Sequence, residues 1–269
     1  MRIAIAILLL IPVLSIAQDG NYSLGGRHFA MSGASVTLSD EWAVFNNVGA
    51  LGASQRTAAL ISYRNRYDIQ GFHIRGAAIT HSNKYFNSGV KFYKFGDDLF
   101  NQQILGLAIA NKIQMVSIGG GINFIQTHVE GFADKRITAL ELGGIAELTS
   151  QFVLGAHIFN FKHGQQHPTT MKAGLSFRPR DFLMINTEIE KQLNARELFK
   201  AGLEYVVIPN VILRTGINIQ GNEVDKSNTG GTFGLGLFFV GFAFDYAFTS
   251  EDLGDIHEIS LSYRIVGAQ

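Results

Sequence analysis

The chain of 269 residues has no cysteine, four prolines and one tryptophan. Without cysteine it cannot form a disulfide scaffold, a thiolate zinc site, an iron–sulfur cluster or a cysteine nucleophile. It also has little charge, because charged residues make up 16% of the chain, whereas a typical soluble domain has about 25%. The 22 Lys and Arg balance the 22 Asp and Glu, and the lack of a basic excess argues against nucleic acid as a partner.

Glycine and phenylalanine are abundant instead, with 30 and 21 residues, and the mean hydropathy is +0.14. This is apolar for a soluble protein. After the N-terminal region, however, no run approaches 18 consecutive apolar residues, so no transmembrane helix is predicted there. A glycine-rich, apolar and charge-poor chain of this length fits one closed β structure.

The N-terminus has the pattern of a secretory signal peptide. Arg2 gives a positive start, Ile3 to Leu14 is a short apolar core, and small residues lie at Ser15 and Ala17. We therefore predict a signal peptide over residues 1–17 and an exported mature chain; the alternative is an uncleaved anchor. No cysteine follows the site, which excludes a lipoprotein.

Residues 18–55 differ from the rest of the chain, because they are glycine-containing and lack regular alternation. Ser39 followed by Asp40 and Glu41 predicts a helix N-cap with acidic residues in the first turn. We interpret the segment as a compact hatch that fills the lumen of a barrel. Within it, Arg27, Asn46 and Asn47 are predicted to satisfy backbone and wall groups or to bind a substrate.

From Thr57 onwards apolar residues alternate with small, polar or charged ones, which is the period of a β-strand. The pattern predicts about fourteen strands of nine to twelve residues, the length of a tilted bilayer crossing. Their predicted starts are Thr57, Ile69, Tyr85, Gln102, Ile113, Asp134, Gln151, Thr169, Asp181, Glu197, Asn210, Gly230, Gly241 and Ile256.

The predicted connections alternate between longer and shorter ones, as in outer-membrane barrels, with the one near Tyr67 and Asp68 as a short exception. Residues 56–269 are thus predicted to form a fourteen-stranded antiparallel transmembrane β-barrel with a hatch in its lumen. The barrel is expected in the outer membrane of a Gram-negative bacterium, surrounded by outer-membrane lipid, with both termini periplasmic.

The charged face of each strand is predicted to face the lumen, because a lipid-facing charge near the midplane costs about 2–4 kcal/mol. Both signs occur on this face, which favours paired charges over an ion-selective pore. Two interpretations stay open, an ion-pair network and a polar ligand site. The predicted lumen charges are Arg64, Arg75, Glu141, Lys172, Glu188, Glu190, Lys200, Glu204, Arg214, Asp245, Glu258 and Arg264.

Two stretches resemble the PorV/PorQ branch of the FadL-type outer-membrane barrels. Residues 26–36 and 46–51 are similar to the hatch motifs of that branch, and residues 253–264, LGDIHEISLSYR, are similar to its closing strand. The sequence departs from the hatch pattern at Ala30, Ser32 and Val48. The resemblance implies a fourteen-stranded barrel with a hatch, a bacterium of the Bacteroidetes and a link to type IX secretion.

No constellation points to an enzyme, a metal or a cofactor. A barrel phospholipase needs a strand-borne His-x-Ser, which the sequence lacks. His163 and His167 are four residues apart, but Gly164 and Pro168 argue against the helix that would bring them together. The run Gly119 to Gly121 lacks the lysine of a phosphate loop and predicts a bend or a close approach of the hatch.

The first functional hypothesis is therefore a non-enzymatic subunit of a secretion or surface-assembly complex that binds other proteins. The alternative is a FadL-like channel for hydrophobic small molecules. A continuous apolar path between hatch and wall would favour the alternative.

Overall fold

The computed structural model describes residues 22–161, 167–193, 195–220 and 229–265. The predicted signal peptide lies outside these residues. No helix in the described part of the chain is long and apolar enough to cross a membrane.

The strands form one closed antiparallel barrel in which each strand pairs with its sequence neighbours. The first strand also pairs with the last, from Ala58 opposite Arg264 to Arg66 opposite Ile256, so no sheet edge is left open. The predicted fourteen-stranded antiparallel barrel is confirmed. The strands are β1 (Ala58–Arg66), β2 (His73–Ser82), β3 (Asn87–Gly96), β4 (Phe100–Ile113), β5 (Val116–Val129), β6 (Lys135–Glu147), β7 (Phe152–Phe159), β8 (Thr170–Arg180), β9 (Leu183–Gln192), β10 (Leu198–Ile208), β11 (Val211–Gln220), β12 (Thr229–Phe239), β13 (Phe242–Glu251) and β14 (Gly254–Arg264).

The two ends of the barrel differ in their connections. At one end, which we call the turn end, strands are joined by residues 83–86, 114–115, 148–151, 181–182, 209–210 and 240–241. At the other, the loop end, they are joined by residues 67–72, 97–99, 130–134, 160–169, 193–197, 221–228 and 252–253. The chain enters β1 and leaves β14 at the turn end.

Several of the predicted connections were wrong in length. The first runs over residues 67–72 rather than two residues, because Tyr67, Asp68 and Gly71 all have positive φ and turn the chain before β2 begins. The connections predicted over residues 96–101 and 249–255 are shorter, at residues 97–99 and 252–253, because the strands on either side extend further.

The strand alternation separates two surfaces. Large apolar side chains such as Ile79, Ile118 and Phe233 are exposed on the outside of the barrel. Small and polar side chains such as Ser62, Asn123 and Ser176 are buried on the inside. An apolar outside with a polar inside is the pattern of a membrane barrel and the reverse of a soluble one.

Residues 22–57, which we call the N-terminal segment, lie inside the barrel. They contain helices α1 (Gly26–Ala30) and α2 (Ala43–Asn46) and a 3-10 helix (Ala50–Ala53). The predicted cap at Ser39 was wrong. The helix begins at Ala43, since Glu41 is drawn to β14 and the carboxylate of Asp40 accepts the backbone N–H of Trp42 at 2.9 Å instead.

Candidate functional site: the filled lumen

Two glutamates of the barrel wall bind backbone N–H groups of the N-terminal segment. Glu258 accepts the N–H of Gly25 at 2.8 Å and is neutralised by Arg64, whose Nε lies at 2.8 Å. Glu188 accepts the N–H groups of Ser35 and Val36 at 2.9 and 2.8 Å. Buried carboxylates that accept several N–H groups fix both the position and the direction of the chain they bind.

A chain of ion pairs continues from Arg27 into the wall. Arg27 donates to Glu204 at 2.7 Å and to Asp40 at 3.0 Å. Glu204 also accepts from Arg214 at 2.6 Å, and Arg214 donates to Asp245 at 2.6 Å. Burial alone would lower the pKa of Arg27, but Glu204 and Asp40 raise it above its ordinary value. Burial raises the pKa of Asp40, which Arg27 only partly offsets.

Further charges pair around this chain. Lys200 donates to Glu188 at 3.1 Å and to Glu190 at 2.5 Å, and Lys172 lies 3.7 Å from Glu190. Near the turn end, Glu41 of the segment accepts from Arg264 at 2.7 Å. Burial alone would raise the pKa of Glu41, but Arg264 more than offsets it and the pKa is lowered.

One buried triad combines a predicted charge with two residues that the sequence analysis did not single out. Glu141 accepts from Lys91 at 2.7 Å and lies 3.1 Å from His157. The inward positions of Lys91 on β3 and His157 on β7 follow from strand alternation, which is the signal that could have found them. Among the described residues, no group of three or more His, Asp or Glu side chains is placed to hold a metal ion.

Arg75 corrects the prediction for the lumen charges. It is exposed and shares the outward face of β2 with Ala77 and Ile79. The other predicted lumen charges lie on the inward positions of their strands. The prediction for Arg75 was wrong because the cost of an outward charge falls towards the ends of a membrane strand, and Arg75 is the third residue of β2.

Residues 42–54 of the segment meet the wall without ionised side chains of their own. Val44, Phe45, Val48 and Leu51 are buried in one apolar cluster with wall residues such as Ile104. The wall supplies glycines where the segment comes close. A Cβ at Gly89 would lie 2.6 Å from Val44, and one at Gly119 would lie 2.6 Å from the carbonyl oxygen of Val48. The close approach predicted at Gly119 is therefore present.

Asn46 and Asn47 bind backbone groups. Asn46 accepts the N–H of Leu24 at 3.1 Å and donates to its carbonyl at 3.0 Å. Asn47 donates to the carbonyl of Val36 at 2.6 Å and accepts the N–H of Gly49 at 3.1 Å. These bonds join the two parts of the segment to each other.

Aromatic rings surround the first described residue, Tyr22, at the loop end. Its ring centroid lies 5.3 Å from Tyr93 and 5.4 Å from Phe159, and its hydroxyl lies 2.5 Å from Nε2 of His167. Burial lowers the pKa of His167 to about 4. His163, the other histidine of the pair considered for a metal, lies outside the described residues.

Residues 1–21 and 266–269 lie outside the described residues, so the periplasmic location of both termini stays a prediction. Tyr22 packs at the loop end, whereas Arg264 at the end of β14 lies at the turn end.

Two cavities lie on either side of the filled lumen. Next to Tyr22, a cavity of about 20 Å³ has room for about one water. Its lining combines the aromatic residues Phe45, Tyr93 and Phe159 with polar and charged ones such as Lys91, Asn123 and Lys172. At the turn end, a polar cavity of about 350 Å³ is lined by Arg27, Arg178 and Glu204 among others. Side chains therefore separate a small space of mixed aromatic and polar lining from a larger polar one.

No family model and no curated protein matches the sequence. Solved structures share the fold. The CymD monoaromatic hydrocarbon channel matches with a TM-score of 0.68 at 11% identity, over 93% of this chain and 99% of that chain. A FadL homologue of Pseudomonas aeruginosa matches with a TM-score of 0.68 at 10% identity, over 90% of this chain and 99% of that chain. The toluene transporter TodX of P. putida matches with a TM-score of 0.63 at 10% identity, over 92% of this chain and 100% of that chain.

These neighbours are FadL-type barrels, and they are channels and a transporter rather than enzymes. They give no support to the PorV/PorQ branch, to type IX secretion or to an origin in the Bacteroidetes, which the sequence motifs implied. At identities near 10% the likeness shows the fold.

Proposed function

We propose that the protein is an outer-membrane channel for small hydrophobic molecules. The loop end faces the outside of the cell, and the turn end, where β14 finishes, faces the periplasm. The apolar outside of the barrel and the two kinds of connection support this placement. The shared fold with hydrocarbon channels supports the class of solute.

The observation that carries the proposal is one apolar cluster that extends along the lumen. It begins with Tyr22 and Tyr93 near the loop end, continues through Phe45 and Val48, and reaches Leu51 and Ala110 near the turn end. A small hydrophobic molecule can replace apolar contacts of this kind at little cost, because both states keep apolar surface away from water.

The rest of the lumen supports the proposal by contrast. Residues 23–41 are bound by buried ion pairs, and an apolar molecule cannot replace those bonds without leaving charges unpaired. We therefore propose that residues 42–54 move away from β2–β6 during passage, while residues 23–41 stay bound. Substrates pass between the displaced residues and the wall.

Engineered disulfides test this directly, because the chain contains no cysteine of its own. A Cβ at Gly89 would lie 3.5 Å from Cβ of Val44, within the range of a disulfide. The pair Val44→Cys and Gly89→Cys would bind the apolar part to β3. For comparison, Ser32→Cys and Thr232→Cys would bind the other part to β12, because their side-chain oxygens are 2.9 Å apart.

The measurement is uptake of labelled toluene by intact cells that carry each variant in the outer membrane. With the 44–89 disulfide formed, uptake should fall to that of cells without the protein and return when the disulfide is reduced. With the 32–232 disulfide formed, uptake should stay at the level of its reduced form. Unchanged uptake with the 44–89 disulfide would refute a channel along this cluster.

A role as a subunit of a secretion or surface-assembly complex has no observation in its favour among the described residues, and we do not propose it.

A further inference from the structure

Most charged side chains on the outward face of the described strands lie at the loop end. Five outward Lys, Arg, Asp and Glu side chains of the described strands lie within three residues of the loop end of their strand. At the turn end, Arg180 at the end of β8 is also exposed, opposite Leu183 of β9. Four of the five at the loop end are cations. The cations are Arg75 on β2, Lys94 on β3, Arg136 on β6 and Lys191 on β9. The fifth side chain is the anion Asp255 on β14.

Two of these cations lie side by side without an anion. Arg75 and Lys94 are directly opposite each other in the register of β2 and β3. Within the described part of the chain, neither side chain makes a hydrogen bond or an ion pair. By contrast, Lys191 is bound to Glu197 at 2.6 Å, and Arg136 lies near the carboxylate of Asp134.

Like charges directly opposite on neighbouring strands destabilise a sheet, so a bound anion would relieve the pair. The surroundings indicate which anion. Towards the turn end, the same two strands present Ile79, Val90 and Phe92 to the outside, and all three are exposed. The pair therefore lies at the border between the apolar belt and the loop end, which is the depth of the lipid headgroups.

We propose that Arg75 and Lys94 form a binding site for the phosphate group of a membrane lipid in the leaflet at the loop end. The guanidinium and the ammonium bind the phosphate oxygens, while the acyl chains lie over Ile79, Val90 and Phe92. This site rests on the proposed placement in the membrane and is independent of passage through the lumen.

The test uses the purified full chain in a neutral detergent, titrated with phosphatidylglycerol and followed by native mass spectrometry. Each of Arg75→Gln and Lys94→Gln should weaken lipid binding by about fivefold, and the double variant by roughly the product, because a cation near an anionic lipid surface contributes on this scale. Lys191→Gln is the matched control, since this outward cation already has a carboxylate partner. It should change binding by less than either single variant.

Four further measurements complete the test. A diacylglycerol with the same acyl chains should bind equally to the wild type and the double variant, because it has no phosphate. Arg75→Lys should retain most of the affinity, and unheated gel mobility checks that each barrel is folded.

The proposal fails if the double variant binds phosphatidylglycerol like the wild type. It also fails if inorganic phosphate displaces the lipid at equal concentration, since the pair would then be a site for free anions. Because uptake of toluene is measured separately, either result leaves the proposed channel to its own test.

Discussion

The N-terminal segment is bound to the barrel in two different ways. Residues 23–41, the ionic half, contact β7–β14 through Glu188, Glu204, Glu258 and Arg264. Residues 42–54, the apolar half, contact β2–β6 through Val44, Phe45, Val48 and Leu51 and through glycines of the wall. One chain thus fills one lumen with buried ion pairs on one side and with apolar packing and neutral hydrogen bonds on the other. Among these neutral bonds, Asn87 of β3 donates to the carbonyls of Leu51 and Ser54 at 2.7 and 2.6 Å.

The two kinds of contact differ in the free energy needed to break them, and this difference indicates which half of the segment can move. Removing one partner of a buried ion pair leaves an uncompensated charge and costs about 3–5 kcal/mol. Apolar packing costs less per group to exchange, and a hydrophobic solute supplies the same kind of contact. The ionic half is therefore suited to fix the position of the segment and the apolar half to give way.

The largest effect should follow from removing an acceptor of the ionic half. Glu188→Ala leaves the N–H groups of Ser35 and Val36 without their acceptor, and we expect local opening to become easier by about 3–5 kcal/mol. A single cysteine at Ala34, which is buried, reports opening by its rate of maleimide labelling. That rate should rise roughly 100-fold or more.

The control for this variant is Glu190→Ala. Glu190 also binds Lys200, at 2.5 Å, but among the described residues it accepts no N–H of the segment. Glu190→Ala should therefore change the labelling rate of the cysteine at position 34 much less than Glu188→Ala does. A second reporter at Ala50 in the apolar half should respond weakly to Glu188→Ala. Equal labelling at both reporters would show that the two halves open as one unit.

The comparison also shows what sequence reasoning could reach. Strand alternation predicted the barrel and the inward positions of charges such as Glu188 and Arg214, because one bilayer-facing surface forces a period of two. It could not predict which charges pair, since pairs such as Glu204 with Arg27 join residues far apart in the chain. It failed at Arg75 because alternation alone does not give depth in the membrane.

The N-terminal segment was harder to predict for a related reason. Helix α1 has no side-chain cap and is held by contacts with the wall, such as the bond from the N–H of Gly26 to Ser260 at 2.8 Å. A helix of one turn stabilised from outside leaves no local signal in its own sequence. The same holds for the Tyr22–His167 contact, which bridges residues 145 positions apart.

A smaller effect is expected from acid at the loop end. Burial lowers the pKa of His167 to about 4 from its ordinary 6.5. The unfolded loop therefore takes up a proton first, so the stability of the contact with Tyr22 is fully present above pH 6.5 and is lost as the pH falls towards 4. The loss should reach up to about 3 kcal/mol.

Amide hydrogen exchange at Leu24, corrected for the intrinsic pH dependence, measures this loosening. Exchange should accelerate between pH 6.5 and 4 in the wild type, and His167→Gln should remove the pH dependence. Exchange that is insensitive to pH in the wild type would mean that the His167 contact does not hold this end of the segment.

The smallest effect should come from the apolar half. Val44 is fully buried against Gly89, and Val44→Ala removes two methyl groups whose loss costs about 2 kcal/mol. Labelling of a cysteine at Ala50 should rise roughly 30-fold, while labelling at Ala34 should stay nearly constant because the ionic half keeps its bonds. Val90→Ala is the matched control, since Val90 follows Gly89 on β3 but faces outward and is 48% exposed. If Val44→Ala loosened position 34 as much as position 50, packing in the apolar half would support the ionic half as well, and the independent movement proposed for passage would be excluded.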